Sequence, residues 1–265
     1  MNKENARHVL GLSGGKDSAA LAIYLKEKGE LPDIEYFFCD TGAELKEVYE
    51  FLDRLEGYLG KEVARLSSGK PFDHHLKTHG NFLPSPKERW CTREMKIKPF
   101  LEFVGDDECF SYIGIRADEN RGGYDTTLSP SKRVRPLYPF IQDGVMKDDV
   151  FRILRESIGI PEYYKWRSRS GCYFCFFQRK DEWVGLHDHH PELFERAAKY
   201  EKFDEKTGKR FTWSQSESLP ELLNRASDIR ARREKLNSKK KGKSNWQEKL
   251  LEDDEDEQSC LICSL

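Results

Sequence analysis

Short apolar runs alternate with segments of helical periodicity along the first half of the chain. The run from His8 to Ser13 predicts a strand, and Leu21, Tyr24 and Leu25 mark one face of the helix expected after it. Gly29 is the expected end of this helix, because glycine readily adopts the left-handed conformation that closes helices. The beginning of the chain therefore predicts a strand, a loop and a helix in that order.

The alternation continues with further strands. The nearly continuous apolar run Ile34 to Cys39 predicts a strand covered on both faces. Glu62 to Leu66 and Cys109 to Arg116 predict two more strands, with helical spacing between the apolar runs. These patterns predict an α/β fold with a doubly wound, mostly parallel sheet. Ligands of such sheets bind beyond the carboxyl ends of the strands, where Ser13 and Asp40 fall.

The rest of the chain has a different pattern. A connection rich in Gly, Pro and His, from Ser67 to Trp90, is long enough to be a functional flap. Further helices are predicted from Cys91 to Val104, from Asp148 to Ile158, from Glu182 to Lys202 and after the capping box at Ser218. We expect residues 1–205 to form the α/β domain, 206–236 a helical C-terminal extension and 237–265 a charged, disordered tail.

Charge and composition narrow the functional classes. The 45 Lys and Arg against 47 Asp and Glu leave a net charge of −2, so the whole chain lacks the positive charge that attracts nucleic acid or anionic membranes. One basic stretch, Arg230 to Lys243, could contact nucleic acid or form a solvated helix face. The longest apolar runs are about six residues, against about 20 in a membrane helix, and no signal-peptide pattern precedes the glycine loop. We therefore expect a cytoplasmic protein without membrane attachment.

A glycine loop at the first strand-to-helix junction is the main candidate for chemistry. Its residues are Ser13, Gly14, Gly15, Lys16, Asp17 and Ser18. Paired glycines let amide groups approach a phosphate, the helix N-terminus adds partial positive charge, and Lys16 adds a full one. The loop is not a Walker A motif, because Leu10 stands where that motif needs glycine. The alternative is an ordinary turn in which Ser13 or Asp17 caps the helix.

Other polar residues follow strands at the same edge. Asp17 and Asp40 could hold Mg²⁺ or the sugar of a nucleotide, or each could cap the helix that follows it. Arg116, Glu119 and Arg121 follow the fourth predicted strand, and arginine suits phosphate recognition. The alternative for these three is a set of surface ion pairs.

The loop Ser-Gly-Gly-Lys-Asp-Ser resembles the signature of the PP-loop ATP pyrophosphatases, which have the adenine nucleotide α-hydrolase-like fold. The resemblance extends from Arg7 to Lys202, where successive blocks are similar to the phosphoadenosine phosphosulfate (PAPS) reductase family. These blocks include Asp40-Thr41-Gly42, the segment from Ile113 to Glu119, and Arg169-Ser170-Gly171-Cys172. The resemblance implies Mg²⁺-ATP binding and pyrophosphate release, with Lys16, Asp17 and Asp40 as catalytic residues.

Three of the seven cysteines form a candidate metal centre. Cys172 and Cys175 have a Cys-x-x-Cys spacing that suits zinc or an iron–sulfur cluster, and Cys91 precedes them by about eighty residues. This arrangement resembles that of cluster-bearing adenylylsulfate reductases, except that Thr92 replaces their second cysteine, and it is also similar to the DNA phosphorothioation sulfurtransferases. The resemblance implies an iron–sulfur cluster, with an open iron position or with Cys39 or Cys109 as fourth ligand. A structural zinc and buried free thiols are the alternatives.

The sequence thus predicts an ATP pyrophosphatase that adenylates an acceptor, and the resemblance adds a sulfur transfer to the activated acceptor. The implied partners are ATP, a sulfur donor protein or small thiol, a nucleic-acid acceptor and a multi-protein complex. One alternative is a reductase of PAPS or adenylylsulfate that works through a tail thiol, Cys260 or Cys263. Another is a non-catalytic, nucleotide-sensing subunit of a larger complex.

Overall fold

The computed structural model describes residues 6–29, 33–119, 131–204, 208–214 and 217–240. Its centre is a five-stranded, wholly parallel sheet in the order β3-β2-β1-β4-β5. The strands are β1 (Arg7–Gly11), β2 (Ile34–Cys39), β3 (Val63–Leu66), β4 (Cys109–Tyr112) and β5 (Val134–Leu137). β1 pairs with β2 on one side and with β4 on the other, so the strand order reverses at β1. The crevice where the strand order reverses lies at the carboxyl end of β1, next to the glycine loop.

Helices follow the strands and continue into the C-terminal part. They are α1 (Lys16–Lys28), α2 (Lys46–Leu59), α3 (Phe72–Thr78), α4 (Trp90–Thr92), α5 (Lys98–Val104), α6 (Pro139–Gln142), α7 (Lys147–Glu156), α8 (Lys180–His189), α9 (Pro191–Ala198), α10 (Leu219–Leu223) and α11 (Ala226–Lys240). A π-helical turn, Arg93–Ile97, joins α4 to α5, and a 3₁₀ turn covers Glu162–Lys165. No helix of the described residues is both long and apolar enough to cross a bilayer.

Both faces of the sheet are buried, and successive residues of one strand enter different cores. Leu10 of β1 packs in the core formed with α1, α2 and α7, whereas its neighbour Val9 packs in a second core with α5. In β2, Phe38 and Phe37 divide in the same way. Because side chains alternate along a strand, a strand covered on both faces has to be apolar at nearly every position. The prediction of a doubly wound parallel sheet is confirmed.

Several element boundaries differ from the sequence predictions. The fourth strand ends at Tyr112, whereas the prediction extended it to Arg116, and residues 113–116 form a loop. The helix predicted from Glu182 to Lys202 is two helices that meet at Pro191, since proline cannot continue a helix but readily begins one. Lys202–Asp204 instead pairs with Lys209–Phe211 in a small antiparallel hairpin. The capping box at Ser218 is confirmed, and α11 extends to Lys240, beyond the expected end of the helical extension at 236. Residues 241–265 lie outside the described part.

An aromatic cluster joins the long connection after β3 to the Cys-x-x-Cys segment. Phe72 of α3 lies with its ring centroid 4.2 Å from that of Phe174 and 5.2 Å from that of Trp90. Phe174 also stacks on Trp213, with centroids 5.4 Å apart. Trp90 directly precedes Cys91, and Phe174 lies between the other two candidate ligands. The cluster therefore brings segments about eighty residues apart in the chain to the same region of the fold.

Phe174→Ala tests how strongly this cluster stabilises the protein. Phe174 is buried and contacts aromatic rings from three separate parts of the chain (Phe72, Tyr200 and Trp213), so its removal leaves a cavity that cannot collapse easily. We expect the free energy of unfolding to fall by about 3–5 kcal/mol. Urea denaturation followed by tryptophan fluorescence measures this change, and the exposed Phe203→Ala is the matched control with an expected change below about 0.5 kcal/mol. Equal stability of the two variants would contradict this role.

Candidate functional site

The glycine loop is closed by hydrogen bonds among its own residues. The Ser13 amide donates to Ser18 Oγ at 3.3 Å, and the Ser18 hydroxyl donates to the Gly15 carbonyl at 3.2 Å. The Gly15 amide lies 3.4 Å from Ser13 Oγ, which accepts its hydrogen bond. Both serines of the signature therefore hold the turn between β1 and α1 in shape. The loop lies at the carboxyl end of β1, as the sequence predicts.

The two glycines are required for different reasons. Gly14 has φ of +72°, and a Cβ atom there would lie 2.5 Å from Val48 Cγ1 of α2. At Gly15 a Cβ atom would lie 2.9 Å from Ser170 Oγ and 3.1 Å from Ser13 Oγ. Gly15 thus leaves a small space bordered by hydroxyl groups, at the N-terminus of α1. Such a space suits a phosphate oxygen, since backbone amides and hydroxyls can all donate to it.

Lys16, Asp17 and Arg116 form a charged cluster beside this loop. The Asp17 carboxylate accepts from Lys16 Nζ at 3.0 Å through one oxygen and from Arg116 Nη1 at 2.7 Å through the other. Arg116 also pairs with Asp118 and Glu119, at 3.0 and 2.7 Å. Burial by itself raises the pKa of Asp17, but the two adjacent cations outweigh it and hold that pKa below its ordinary value. Asp17 is therefore ionised at neutral pH and orients the lysine ammonium group.

Asp17→Asn tests the electrostatic role of this carboxylate. A group whose pKa is lowered in the folded state stabilises the protein above its unfolded pKa, and this contribution is lost as the pH falls through the lower, folded value. We expect Asp17→Asn to lower the free energy of unfolding by about 2 kcal/mol at pH 7, less than for a fully buried pair because 23% of the Asp17 side chain is exposed.

Urea titrations of both proteins between neutral and acidic pH measure this difference. The pKa of an unperturbed aspartate is about 3.9. The difference in the free energy of unfolding between wild type and Asp17→Asn should therefore narrow below about pH 4. A gap of constant size throughout the acidic range would contradict the electrostatic explanation.

The other predicted nucleotide residues lie in three different places. Glu119 lines the same large cavity as the loop, and Arg116 is buried rather than part of a surface ion pair. Asp40 lines a smaller neighbouring cavity of about 350 Å³, where its Oδ1 accepts from the Gly42 amide and the Tyr49 hydroxyl, both at 2.8 Å. Thr41 borders both cavities. Arg121 lies outside the described residues.

The large cavity, of about 1260 Å³, connects the glycine loop to the three candidate cysteines. Cys91, Cys172 and Cys175 all line it, together with Ser13, Gly15 and Lys16. Within the described residues, however, no three His, Cys, Asp or Glu side chains lie together in a group that could hold a metal ion. The three cysteines thus border one cavity, but the structure does not present them as a ready coordination shell.

Cys172 has close protein contacts of its own. Its Sγ lies 3.2 Å from Thr41 Oγ1 and donates to Glu44 Oε1 at 3.7 Å. The Glu44 carboxylate also accepts from the Thr41 hydroxyl at 2.7 Å and from the Tyr49 hydroxyl at 3.2 Å. Burial, assisted by the negative charge of Glu44, raises the pKa of the Cys172 thiol well above its usual range. Metal ligation would therefore require this sulfur to lose a proton and leave these contacts.

Cys39 and Cys109 are buried in strands of the sheet, as the sequence predicts. Burial raises the pKa of each thiol to about 11. Both pack in the core that faces α5, so they contribute apolar volume there.

The segment that carries Cys172 is anchored by charged side chains that sequence reasoning missed. Glu182 is 0% exposed, and its carboxylate accepts from the amide and the hydroxyl of Ser168 at 2.7 and 2.6 Å. The buried Arg167 donates to the carbonyls of Gly171 and Cys172 at 3.3 and 3.2 Å. The capping position of Glu182, three residues after Arg179, is the sequence signal that points to this anchor.

The basic stretch of α11 reaches the rim of the cavity. Arg230 pairs with Asp188 at 2.5 Å, and Arg233 pairs with Asp181 at 3.3 Å. All four residues line the cavity. These arginines are neutralised by partners of α8, so their charge serves chiefly to attach α11 to the rest of the fold.

A match to a protein-family model covers the glycine loop and the first four strands. Residues 7–133 match the family model described as the phosphoadenosine phosphosulfate reductase domain. This region contains β1 to β4 and ends just before β5. A solved structure of PAPS reductase from Candida auris, in complex with phosphate, aligns with a TM-score of 0.46 and 12% identity, over 64% of this chain and 82% of that one.

Relatives among characterised and uncharacterised proteins show modest identity. An uncharacterized protein of Methanocaldococcus jannaschii is 25% identical over 79% of this chain and 52% of its own length. An uncharacterized protein of Escherichia phage 186 is 26% identical over 75% of each chain. The tRNA-specific 2-thiouridylase MnmA of Haemophilus ducreyi is 24% identical over 65% of this chain and 52% of its own length. The chain thus spans about half the length of several curated relatives.

Proposed function

We propose that the protein is an ATP pyrophosphatase that activates an acceptor for sulfur transfer. The proposal starts from the glycine loop, which resembles the PP-loop signature, and from the match of residues 7–133 to the phosphoadenosine phosphosulfate reductase domain. The observation that carries the proposal is a large cavity that is bordered both by the glycine loop and by the three cysteines. A nucleotide held by the loop and a sulfur nucleophile held by the cysteines would share this space. The chemistry then needs no second site.

In the first step, an oxygen of the acceptor attacks the α-phosphate of ATP. The bond between the α-phosphate and its bridging oxygen breaks, and pyrophosphate leaves with the electron pair. Negative charge grows on the departing group, and Lys16 and the amides at the start of α1 are placed to stabilise it. Asp17 keeps the lysine ammonium group in position through its 3.0 Å contact. Mg²⁺ would be bound largely by phosphate oxygens, because both oxygens of Asp17 already accept from cations.

In the second step, the outer sulfur of a persulfide attacks the carbon that carries the adenylylated oxygen, the carbon–oxygen bond breaks, and AMP leaves with that oxygen. A thiolate then attacks the carrier's sulfur in the resulting disulfide, forms a new disulfide with the carrier, and leaves the transferred sulfur on the acceptor. The net result is the replacement of oxygen by sulfur. The acceptor class we favour is nucleic acid, supported by the thiouridylase among the relatives, and the sulfur is supplied by a donor protein or a small thiol. Cys91, Cys172 and Cys175 are the proposed residues for this step, because they border the cavity that the loop also borders.

An iron–sulfur centre, with zinc as the alternative, is the metal group that the family resemblance implies for these cysteines. Thiolate sulfur is the donor that both prefer. The present contacts of Cys172 with Thr41 and Glu44 do not fit a bound metal, so we derive no step through one. Iron, sulfide and zinc analysis of anaerobically purified protein identifies the metal. Iron that is lost in Cys175→Ser would support a cluster, and stoichiometric zinc would support a structural site.

The reductase alternative is favoured by the description of the matched family model. It requires a tail thiol to form the covalent intermediate, whereas adenylation at the loop does not. Deleting the residues after Lys249 separates the two functions. If the protein is a pyrophosphatase, the truncated chain should still release pyrophosphate from ATP in the presence of acceptor. Thioredoxin-dependent sulfite production from PAPS by the full chain, lost on truncation, would instead establish the reductase.

A further inference from the structure

Two hydroxyl groups outside the glycine loop lie against it. Tyr164 belongs to the 3₁₀ turn Glu162–Lys165, and Ser170 comes just before the Cys-x-x-Cys segment. The Lys16 amide donates to the Tyr164 hydroxyl at 2.8 Å, and a Cβ atom at Gly15 would lie 2.9 Å from Ser170 Oγ and 3.7 Å from the Tyr164 hydroxyl. The two side chains therefore face the space that Gly15 leaves open.

Both hydroxyl-bearing side chains line the large cavity. The Tyr164 oxygen accepts from the Lys16 amide, and its hydroxyl also interacts with the neighbouring Tyr163 hydroxyl. No hydrogen bond of Ser170 Oγ occurs within the described part of the chain, although this side chain is only partly exposed. Burial raises the pKa of Tyr164, so its hydroxyl stays protonated at neutral pH. A protonated hydroxyl that borders the cavity can turn its O–H toward a bound anion.

Neighbouring hydroxyls on the same segment are used differently. Tyr163 is buried, and its hydroxyl donates to the Gly14 carbonyl. The Ser168 hydroxyl donates to the buried Glu182 carboxylate at 2.6 Å. Within this segment, Tyr163 and Ser168 thus donate to protein groups, whereas Tyr164 and Ser170 line the cavity beside the glycine loop. This contrast separates a ligand-binding role from a purely structural one.

We propose that Tyr164 and Ser170 donate hydrogen bonds to the phosphate chain of the bound nucleotide, completing from the opposite side the site that the glycine loop begins. The inference rests on the proposed function for the presence of a nucleotide, but it adds two binding residues from outside the signature. The recognised chemistry is a polyphosphate: the β- and γ-phosphates that leave as pyrophosphate, rather than the nucleoside.

The test compares Tyr164→Phe and Ser170→Ala with the controls Tyr58→Phe, whose hydroxyl donates to Glu27, and Ser168→Ala. Isothermal titration calorimetry gives the affinity of each folded protein for Mg-pyrophosphate, Mg-ATP and AMP. We expect Tyr164→Phe and Ser170→Ala each to weaken Mg-pyrophosphate and Mg-ATP by about tenfold, the usual effect of removing one hydrogen bond to a charged group. AMP affinity should stay within about twofold, because AMP lacks the phosphates concerned.

The control variants distinguish a loss of phosphate binding from a general loss of stability. Tyr58→Phe and Ser168→Ala should leave the affinity for Mg-pyrophosphate within about twofold, because their hydroxyls donate to the carboxylates of Glu27 and Glu182 rather than to the glycine loop. Unchanged Mg-pyrophosphate affinity in both Tyr164→Phe and Ser170→Ala would overturn the inference, as would equal losses in the control variants. If the expected losses occur but wild type never releases pyrophosphate with any acceptor, the inference stands and the proposed function fails.

Discussion

Lys16→Ala is expected to lower ATP-dependent pyrophosphate release by about 10²–10³-fold. The lysine ammonium group lies at the glycine loop and is held by Asp17 at 3.0 Å, so it can stabilise charge on the departing pyrophosphate without reorganising. Burial alone lowers the pKa of Lys16, but the adjacent Asp17 carboxylate outweighs this effect and raises the pKa above its ordinary value. The full positive charge is therefore present across the neutral pH range. A coupled pyrophosphate assay with the true acceptor measures the rate.

The control for this prediction is Lys46→Ala. Lys46 begins α2, is 86% exposed and pairs with Glu50 on the same helix, so its removal should leave the rate unchanged within about twofold. Thermal denaturation establishes that both variants are folded. Release of inorganic phosphate as first product, or a Lys16→Ala variant as active as Lys46→Ala, would contradict a pyrophosphatase centred on this loop.

Cys172→Ser is expected to abolish sulfur incorporation, by at least about 10²-fold, while pyrophosphate release stays within about threefold of wild type. A serine hydroxyl retains the hydrogen bonds to Thr41 and Glu44 but lacks the nucleophilicity and metal affinity of sulfur. Adenylation needs only the loop and the nucleotide, so the first step should continue. Mass spectrometry of the acceptor detects the sulfur, and the pyrophosphate assay follows the first step in the same sample.

Cys109→Ala is the matched control for loss of a thiol. Cys109 is fully buried in β4 and is not among the residues that line the large cavity, so its removal should lower stability modestly without affecting sulfur transfer. Sulfur incorporation at the wild-type rate in Cys172→Ser would remove this cysteine from the mechanism. Loss of both steps together would instead indicate that Cys172 supports the nucleotide site.

The two steps are connected by one short segment. Ser170 lies against Gly15 of the loop, and Cys172, two residues later, lies against Thr41 after β2. Arg167 donates to a carbonyl of this segment, and the Glu182 carboxylate accepts from the Ser168 amide, so both side chains hold the segment in place. A rigid support of this kind keeps a binding group and a sulfur at fixed distances from the same cavity.

Much of the sheet could be predicted from the sequence because its strands are covered on both faces. The run Ile34 to Cys39 has to be apolar throughout, and this makes it easy to recognise. The apolar pattern does not predict β5, for the opposite reason. This four-residue strand lies at the edge of the sheet and contains the exposed Arg135 followed by the partly buried Pro136. Proline has no amide hydrogen to donate, and it is tolerated in a strand at the edge of a sheet.

The sequence by itself determined the glycine loop, its place at the end of the first strand and the pairing of two glycines with Lys16, because local backbone geometry and charge require those residue types. Only the tertiary structure decided which distant side chains meet there. It placed Tyr164 and Ser170 over Gly15 and Glu44 beside Cys172, and it put Asp40 in the smaller cavity. Such contacts depend on how aromatic clusters and buried ion pairs pack remote segments together, and no local pattern along the chain records that packing.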